Sequence, residues 1–198
     1  MFNKSNLLPF FFYLLISLLF CGSIFFNIDY WGQYDWDDLF YCAIERTTVL
    51  KYHQLPLWNP YVGGGNLMFA HPHSSLFSPF FIPILIFGAL LGMKINIIIF
   101  LLFGMIGMYL LSRKLRLSEF SSLLSGIIFM CSSWYPLKML LGHIYVCNIA
   151  WVPWVFLFYL KSLEKKRFII CASVFFSLII TSGVVETSRC MILILPLY

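Results

Sequence analysis

Residues 95–111 read INIIIFLLFGMIGMYLL, an unbroken apolar run without a charged side chain. A helix of about 20 such residues spans the roughly 30 Å hydrocarbon core of a bilayer. The run is continuous rather than alternating between apolar and polar residues, which predicts a transmembrane helix and not a strand of a membrane barrel. Comparable runs, each predicted to form a transmembrane helix, cover residues 7–28, 120–135, 144–160 and 168–185, and residues 190–198 begin a further one.

The composition agrees with this interpretation. The chain has 198 residues, of which 61% are hydrophobic and 11% charged, and its mean hydropathy is +0.89. A soluble domain has about 45–50% apolar and about 25% charged residues. We therefore predict an all-α fold, a polytopic transmembrane helix bundle that forms a single membrane domain over residues 1–198. Because the net charge of +5 comes mostly from short loops between apolar runs, we expect bilayer lipid and no nucleic acid as a partner.

The distribution of basic residues predicts the orientation, which depends on the apolar run 76–92. If this run crossed the membrane, the basic clusters at residues 113–116 and 161–167 would both lie outside, against the positive-inside rule. If it lies at the interface, both clusters are cytoplasmic. We therefore predict an integral protein of the plasma membrane with a cytoplasmic N-terminus and a long extracytoplasmic first loop, residues 29–92.

The first loop concentrates the polar chemistry of the chain. Between residues 29 and 75 lie five of the eight acidic residues and three of the four histidines. Apolar residues recur at helical spacing from 35 to 52, which predicts an amphipathic interfacial helix. The six cysteines are scattered and form no C-x-x-C pair, so neither a disulfide nor a cysteine metal site is expected.

Asp35 and Asp37 are the candidate catalytic residues of this loop. A carboxylate at the membrane surface can accept the proton of an acceptor hydroxyl, or can bind a cation. The alternative is structural. Asp35 is a natural N-cap for the predicted helix, and Asp37 and Asp38 would interact favourably with the positive end of the helix dipole. The residue chemistry leaves both interpretations open, and they need not exclude each other.

The candidate substrate-binding residues follow in the sequence. Trp58 could stack on a sugar and the glycines around Gly64 could admit a ligand; the alternative is an interfacial tryptophan before a tight turn. His71 and His73 suit hydrogen bonds to a phosphate better than a metal site, because no third ligand lies nearby. No cofactor is expected, although a divalent cation is left open. The other candidates are Asn59 in the same loop and His143, Glu186 and Arg189 in later outer loops. The histidine and the arginine of these later loops suit an anionic ligand.

Two segments of the loop resemble a known family. PLWNPYVGGG (56–65) and AHPHSSLFSPF (70–80) follow an apolar signal-anchor helix and an aspartate-bearing segment. This arrangement resembles the start of the GT-C membrane glycosyltransferases, in particular their YfhO-like branch. Two later segments, YLLSRKLRLSEFSSLLSGIIFMCSSW (109–134) and GHIYVCNIAWVPW (142–154), are similar to the short basic loop, small-residue helix and Gly-His helix entrance of that family.

The resemblance implies a function. Such enzymes transfer a sugar from a polyprenyl-phosphate donor to an acceptor on the outer membrane face, and their first-loop aspartate would correspond to Asp35, with Asp37 as second choice. The alternatives are a lipid-linked sugar transporter or flippase, and a non-catalytic membrane subunit of an envelope complex. Because these transferases usually have more helices, we expect the chain to be a fragment or to need a partner subunit. Positive charge or hydrogen-bond donors for the leaving phosphate would come from Arg189, His143, His71 or Lys138.

Overall fold

The computed structural model describes residues 7–30, 32, 34–69, 71, 74 and 76–181. Over these residues the chain is mostly helical, with one short β-hairpin, which confirms the all-α prediction. The helices are α1 (Leu7–Phe20), α2 (Gly22–Phe26), α3 (Leu39–Tyr52), α4 (Phe81–Phe87), α5 (Ala89–Lys114), α6 (Glu119–Cys131), α7 (Trp134–Leu140), α8 (Val152–Glu164) and α9 (Phe168–Thr181), together with 3-10 helices at Tyr34–Asp38 and Ile144–Trp151.

Three helical stretches are long and apolar enough to cross a membrane, which is compatible with an integral membrane protein. They are Ala89–Lys114, Glu119–Leu140 and Val146–Glu164. Two shorter apolar helices, Leu8–Phe20 and Phe168–Ile180, flank them in the sequence. Helices are therefore present where the apolar runs predict them, but their bounds differ from the prediction.

The helix predicted at 95–111 is longer, because α5 begins at Ala89 and has 26 residues, roughly 39 Å at 1.5 Å per residue. The boundary of the first loop at residue 92 was thus wrong. Gly88, with a φ of 92°, separates α5 from the seven-residue α4. Helix α4 turns back along α5, and Asn96 Nδ2 donates a hydrogen bond of 2.7 Å to the Phe80 carbonyl. At roughly 10 Å, α4 is too short to cross a bilayer.

The other predicted helices are interrupted or shifted. The run 7–28 is divided at Cys21 into α1 and α2. The run 120–135 forms α6, an extended Ser132 and then α7. The run 144–160 begins as a 3-10 helix and continues as α8. The predicted interfacial helix 35–52 consists of the 3-10 helix followed by α3. Residues 182–185 of the fifth predicted helix, and 190–198, lie outside the described residues.

Helix α5 forms the centre of the core and packs against α1, α4, α6 and α8. Two of its glycines make room for large side chains. A Cβ at Gly104 would lie 2.4 Å from Met130 Sδ, and one at Gly107 would lie 2.5 Å from Trp154 Nε1. Beside them, Phe103 stacks on Trp154 with ring centroids 4.5 Å apart. Small residues on α5 thus allow close packing of large side chains, and Trp154 Nε1 also donates a hydrogen bond of 3.1 Å to the Phe103 carbonyl.

Lys94 joins the N-terminal helices to α5. Its side chain is 6% exposed, and Nζ donates hydrogen bonds of 2.7 Å to the carbonyls of Asn27, Ile28 and Tyr30. These carbonyls follow the end of α2 and lack helical partners. A single ammonium therefore satisfies three acceptors and fixes the direction in which the chain leaves α2.

We expect Lys94→Met to destabilise the protein by about 2–3 kcal/mol, because each hydrogen bond from Nζ contributes about 1 kcal/mol and the Asn27 carbonyl keeps its bond from Tyr30 N. Thermal unfolding in detergent, followed by circular dichroism, measures the change. Lys51→Met, at an exposed lysine near the end of α3, is the matched control. An equal loss of stability in both variants would contradict the assigned role of Lys94.

Candidate active site

Two predicted site residues that are distant in sequence lie in contact. His143 Nε2 is 2.9 Å from Asp35 Oδ2. The Asp35 side chain is 62% exposed and the His143 side chain 23% exposed, so solvent reaches the carboxylate while the imidazole is held by its surroundings. An imidazole at this distance can orient a carboxylate or exchange a proton with it.

Backbone docking of two segments creates this contact. The 3-10 helix Tyr34–Asp38 lies on the turn that follows α7. Asp35 N donates a hydrogen bond of 3.1 Å to the Leu141 carbonyl, and Trp36 Nε1 donates one of 3.0 Å to the Met139 carbonyl. His143 N in turn donates to the Lys138 carbonyl at 3.0 Å. Hydrogen bonds to main-chain carbonyls thus hold the two segments that carry the carboxylate and the imidazole.

Gly142 permits the close approach of the two segments. Its φ is +85°, and a Cβ at this residue would lie 2.2 Å from Trp36 N. Gly32 has a similar role on the other side, since its Cβ would lie 2.3 Å from the Trp36 ring. The indole of Trp36 is consequently held between two glycines, and any side chain at either position would displace it.

A cavity of about 410 Å³ is lined by sequence neighbours of Asp35, but not by Asp35 or His143 themselves. Asp35 lies between two of its lining residues, Tyr34 and Trp36. The lining combines apolar side chains from α1, α2, α5 and α7 with the polar groups of Asn27 and Lys94. Its size falls within the range of ligand pockets, about 300–1,000 Å³.

The capping alternative for the aspartates receives little support from the structure. The N-cap of α3 is Asp38, and its side chain makes no capping hydrogen bond. Asp35 lies in the first turn of the preceding 3-10 helix, and its carboxylate contacts His143. Asp37 is exposed on the same short helix. Of the two candidate bases, Asp35 therefore has the better-defined surroundings.

Trp58, Asn59 and Gly64 belong to a hairpin formed by β1 (Trp58–Asn59) and β2 (Asn66–Leu67). The strands are antiparallel, with Trp58 opposite Leu67. Gly64 has a φ of +80°, so the turn requires a glycine there, and no atom lies within 4 Å of a Cβ built on it. Its predicted contact with a ligand stays a prediction. Asn59 is fully buried, and its Oδ1 accepts a hydrogen bond of 3.0 Å from Tyr61 N. It supports the hairpin from within.

His71 packs on α3 rather than pairing with a second histidine in the part of the chain described. Its ring stacks on Tyr41 at 4.7 Å between centroids and an interplanar angle of 11°. His73, Glu186 and Arg189 lie outside the described residues, so their predicted roles stay predictions. Among the residues that the structure describes, no group of three or more histidine, cysteine, aspartate or glutamate side chains could hold a metal ion.

The burial of two charged side chains was not predicted from the sequence. Lys94 was one, since a lysine beside an apolar run usually marks a solvated helix end. Glu45 was the other; it is fully buried and accepts a hydrogen bond from Ser74 Oγ. The spacing of Glu45 could have predicted its burial. It lies three residues after the buried Cys42 and six after Leu39, so all three residues share one face of α3.

No known protein family, curated protein or solved structure matches the chain. The likeness to GT-C transferases thus stays an expectation from short motifs, and the function must be argued from the geometry of the site.

Proposed function

We propose that the protein is a polytopic plasma-membrane protein that acts as a GT-C-like glycosyltransferase. It would transfer a sugar from a polyprenyl-phosphate donor to an acceptor hydroxyl on the extracytoplasmic face, with its N-terminus in the cytoplasm. The observation that carries this proposal is the contact between Asp35 and His143, in a segment whose residues Tyr34 and Trp36 line the 410 Å³ cavity. A carboxylate held by an imidazole next to a ligand-sized cavity is a usual arrangement for proton abstraction.

In the proposed reaction, Asp35 accepts the proton of the acceptor hydroxyl while the hydroxyl oxygen bonds to the anomeric carbon. The bond from that carbon to the phosphate oxygen breaks, and the phosphate leaves with the electron pair. His143 Nε2–H donates to Asp35 Oδ2 and holds the carboxylate, which leaves Oδ1 to take the proton. Lys138, whose carbonyl accepts from His143 N, would supply positive charge for the leaving phosphate.

The lining of the cavity suits a lipid-linked donor. Its walls include Phe20, Ile24 and Ile97 from helices that are apolar along their length, and these side chains can contact an isoprenoid. The side chains of Ser23, Asn27 and Lys94 add polar groups to this lining. A donor that carries its own phosphate also removes the need for a nucleotide-binding fold.

The buried charge of α5 favours the enzyme over the transporter alternative. A transport path needs ionisable groups that can change partners within the membrane. Lys94 instead makes three hydrogen bonds of 2.7 Å to main-chain carbonyls, so its ammonium has a structural role. This observation makes transport the weaker candidate.

The test is an assay of the purified protein in proteoliposomes with radiolabelled polyprenyl-phosphate hexoses and a mixture of membrane glycans as acceptors. The proposal expects release of polyprenyl phosphate that depends on the acceptor. Movement of the labelled lipid across the bilayer without any transfer product would contradict the proposal and support a flippase.

A further inference from the structure

A second cavity, of about 490 Å³, lies between α3 and the hairpin. We name it the aromatic groove; the argument concerns six of its lining residues, Phe40, Thr47, Tyr52, Gln54, Trp58 and Tyr61. On α3 the lining residues follow one helical stripe, distinct from the buried face that carries Leu39 and Cys42. The groove therefore occupies a face of α3 that the helix does not use to pack against the bundle.

We propose that the aromatic groove binds an uncharged saccharide, and that this saccharide is the acceptor of the transfer reaction. The second statement rests on the proposed function, whereas the first does not. Saccharides present apolar C–H faces and hydroxyl edges, and they are bound by aromatic rings combined with amide and hydroxyl groups. The groove offers both kinds of group.

The hairpin holds the Trp58 ring and the backbone of Tyr61 in position before any ligand binds. Trp58 is paired with Leu67 across the hairpin, and its indole packs on Gly65, where a Cβ would lie 2.5 Å from Cζ2. Its side chain nevertheless remains 56% exposed. Tyr61 follows the backbone turn that Asn59 Oδ1 holds by its hydrogen bond to Tyr61 N. A preorganised platform loses little conformational entropy on binding.

Hydrogen-bonding groups lie between the rings. Thr47 and Gln54 line the groove together with Tyr52. The Thr47 hydroxyl donates to the Ala43 carbonyl at 2.7 Å, which leaves its oxygen lone pairs as acceptors. None of the described lining residues carries a charge, so the groove does not suit a phosphate or a carboxylate.

The same features argue against a lipid as the occupant. A segment that inserts into the bilayer interface presents a continuous apolar face without polar groups in it. Here the rings surround a concave volume that also contains hydroxyl and amide groups. The groove begins at Phe40, two residues after the end of the 3-10 helix that carries Asp35, and follows α3 for more than three turns. It is thus long enough for more than one sugar ring.

The experiment measures binding by saturation-transfer NMR with the full chain in nanodiscs. The probes are neutral trisaccharides of α-linked hexose, β-linked hexose and N-acetylhexosamine. We expect saturable binding of at least one probe, and about tenfold weaker binding for Trp58→Ala and for Tyr61→Ala. Trp134→Ala, at a tryptophan that is 44% exposed and lies on α7 outside the groove, is the matched control. Circular dichroism confirms that each variant is folded.

Two results would overturn the inference. One is the absence of saturable binding by every probe, or binding that both tryptophan variants weaken equally. The other concerns the fluorescence of Trp58, which is measured as the difference between wild type and Trp58→Phe. The inference is overturned if brominated lipids quench this fluorescence and added saccharide does not change the quenching. This second result would place the groove in the bilayer.

The Asp35→Asn variant separates this inference from the proposed function. It should bind the trisaccharide as wild type does while losing transfer. Saccharide binding by a wild-type protein that transfers no sugar would contradict the proposed function alone. Transfer to an acceptor with no contribution from Trp58 or Tyr61 would contradict the inference alone.

Discussion

Asp35→Asn is expected to transfer sugar about 10²- to 10⁴-fold more slowly than wild type, with its affinity for the donor unchanged. The amide has nearly the shape of the carboxylate and can still contact His143, so the fold should be preserved. It cannot accept a proton from the acceptor hydroxyl. The measurement is the initial rate of transfer in proteoliposomes at saturating donor, together with donor binding.

Glu119→Gln is the matched control for Asp35→Asn, because Glu119 is an exposed carboxylate in the first turn of α6, outside the site. It should transfer sugar at the wild-type rate. Asp37→Asn decides between the two aspartates. If it loses as much activity as Asp35→Asn, or if Asp35→Asn transfers normally, the role of the base assigned to Asp35 is wrong.

Gly142→Ala is expected to destabilise the protein by about 3–4 kcal/mol or to detach the 3-10 helix from the turn after α7. A residue with a side chain pays about 1–2 kcal/mol at positive φ. The new Cβ would also lie 2.2 Å from Trp36 N, and relieving this clash breaks the hydrogen bonds that Asp35 N and Trp36 Nε1 donate, about 1 kcal/mol each. Thermal unfolding and the transfer rate measure the two effects.

Gly64→Ala is the control for the strain at Gly142. Gly64 has a nearly equal φ of +80°, but no atom lies within 4 Å of its Cβ, so this variant has the backbone strain without the clash. The difference in stability between the two variants therefore reports the docking of the two segments. Equal losses would show that the close approach of Gly142 to Trp36 contributes nothing.

The sequence predicts the helices well because burial in a bilayer requires long apolar runs. Their bounds are less predictable because single residues decide them. Gly88 divides α4 from α5, and an extended Ser132 divides α6 from α7, although both lie within apolar surroundings. Lys94 was misleading for another reason, since the carbonyls that allow its burial belong to residues 27–30, far away in the chain.

The candidate site could be predicted only in part from the sequence. The charge distribution predicts that Asp35 and His143 share one side of the membrane, but it contains no information on their distance. Their contact depends on Gly142, because this glycine allows the close approach of Trp36, and only the structure shows that approach. Gly64 shows the opposite case: a glycine with positive φ that a turn explains, and whose ligand contact stays a prediction.

The docking of the 3-10 helix on the turn after α7 also determines when the site can form during synthesis. Residues 34–38 enter the membrane surface early, yet the carbonyls that orient them belong to Met139 and Leu141. A nascent chain that has reached only α6 contains both aspartates and all of α3 without the surface that positions the carboxylate. The contact between Asp35 and His143 is therefore assembled late, after about three quarters of the described helices have been made.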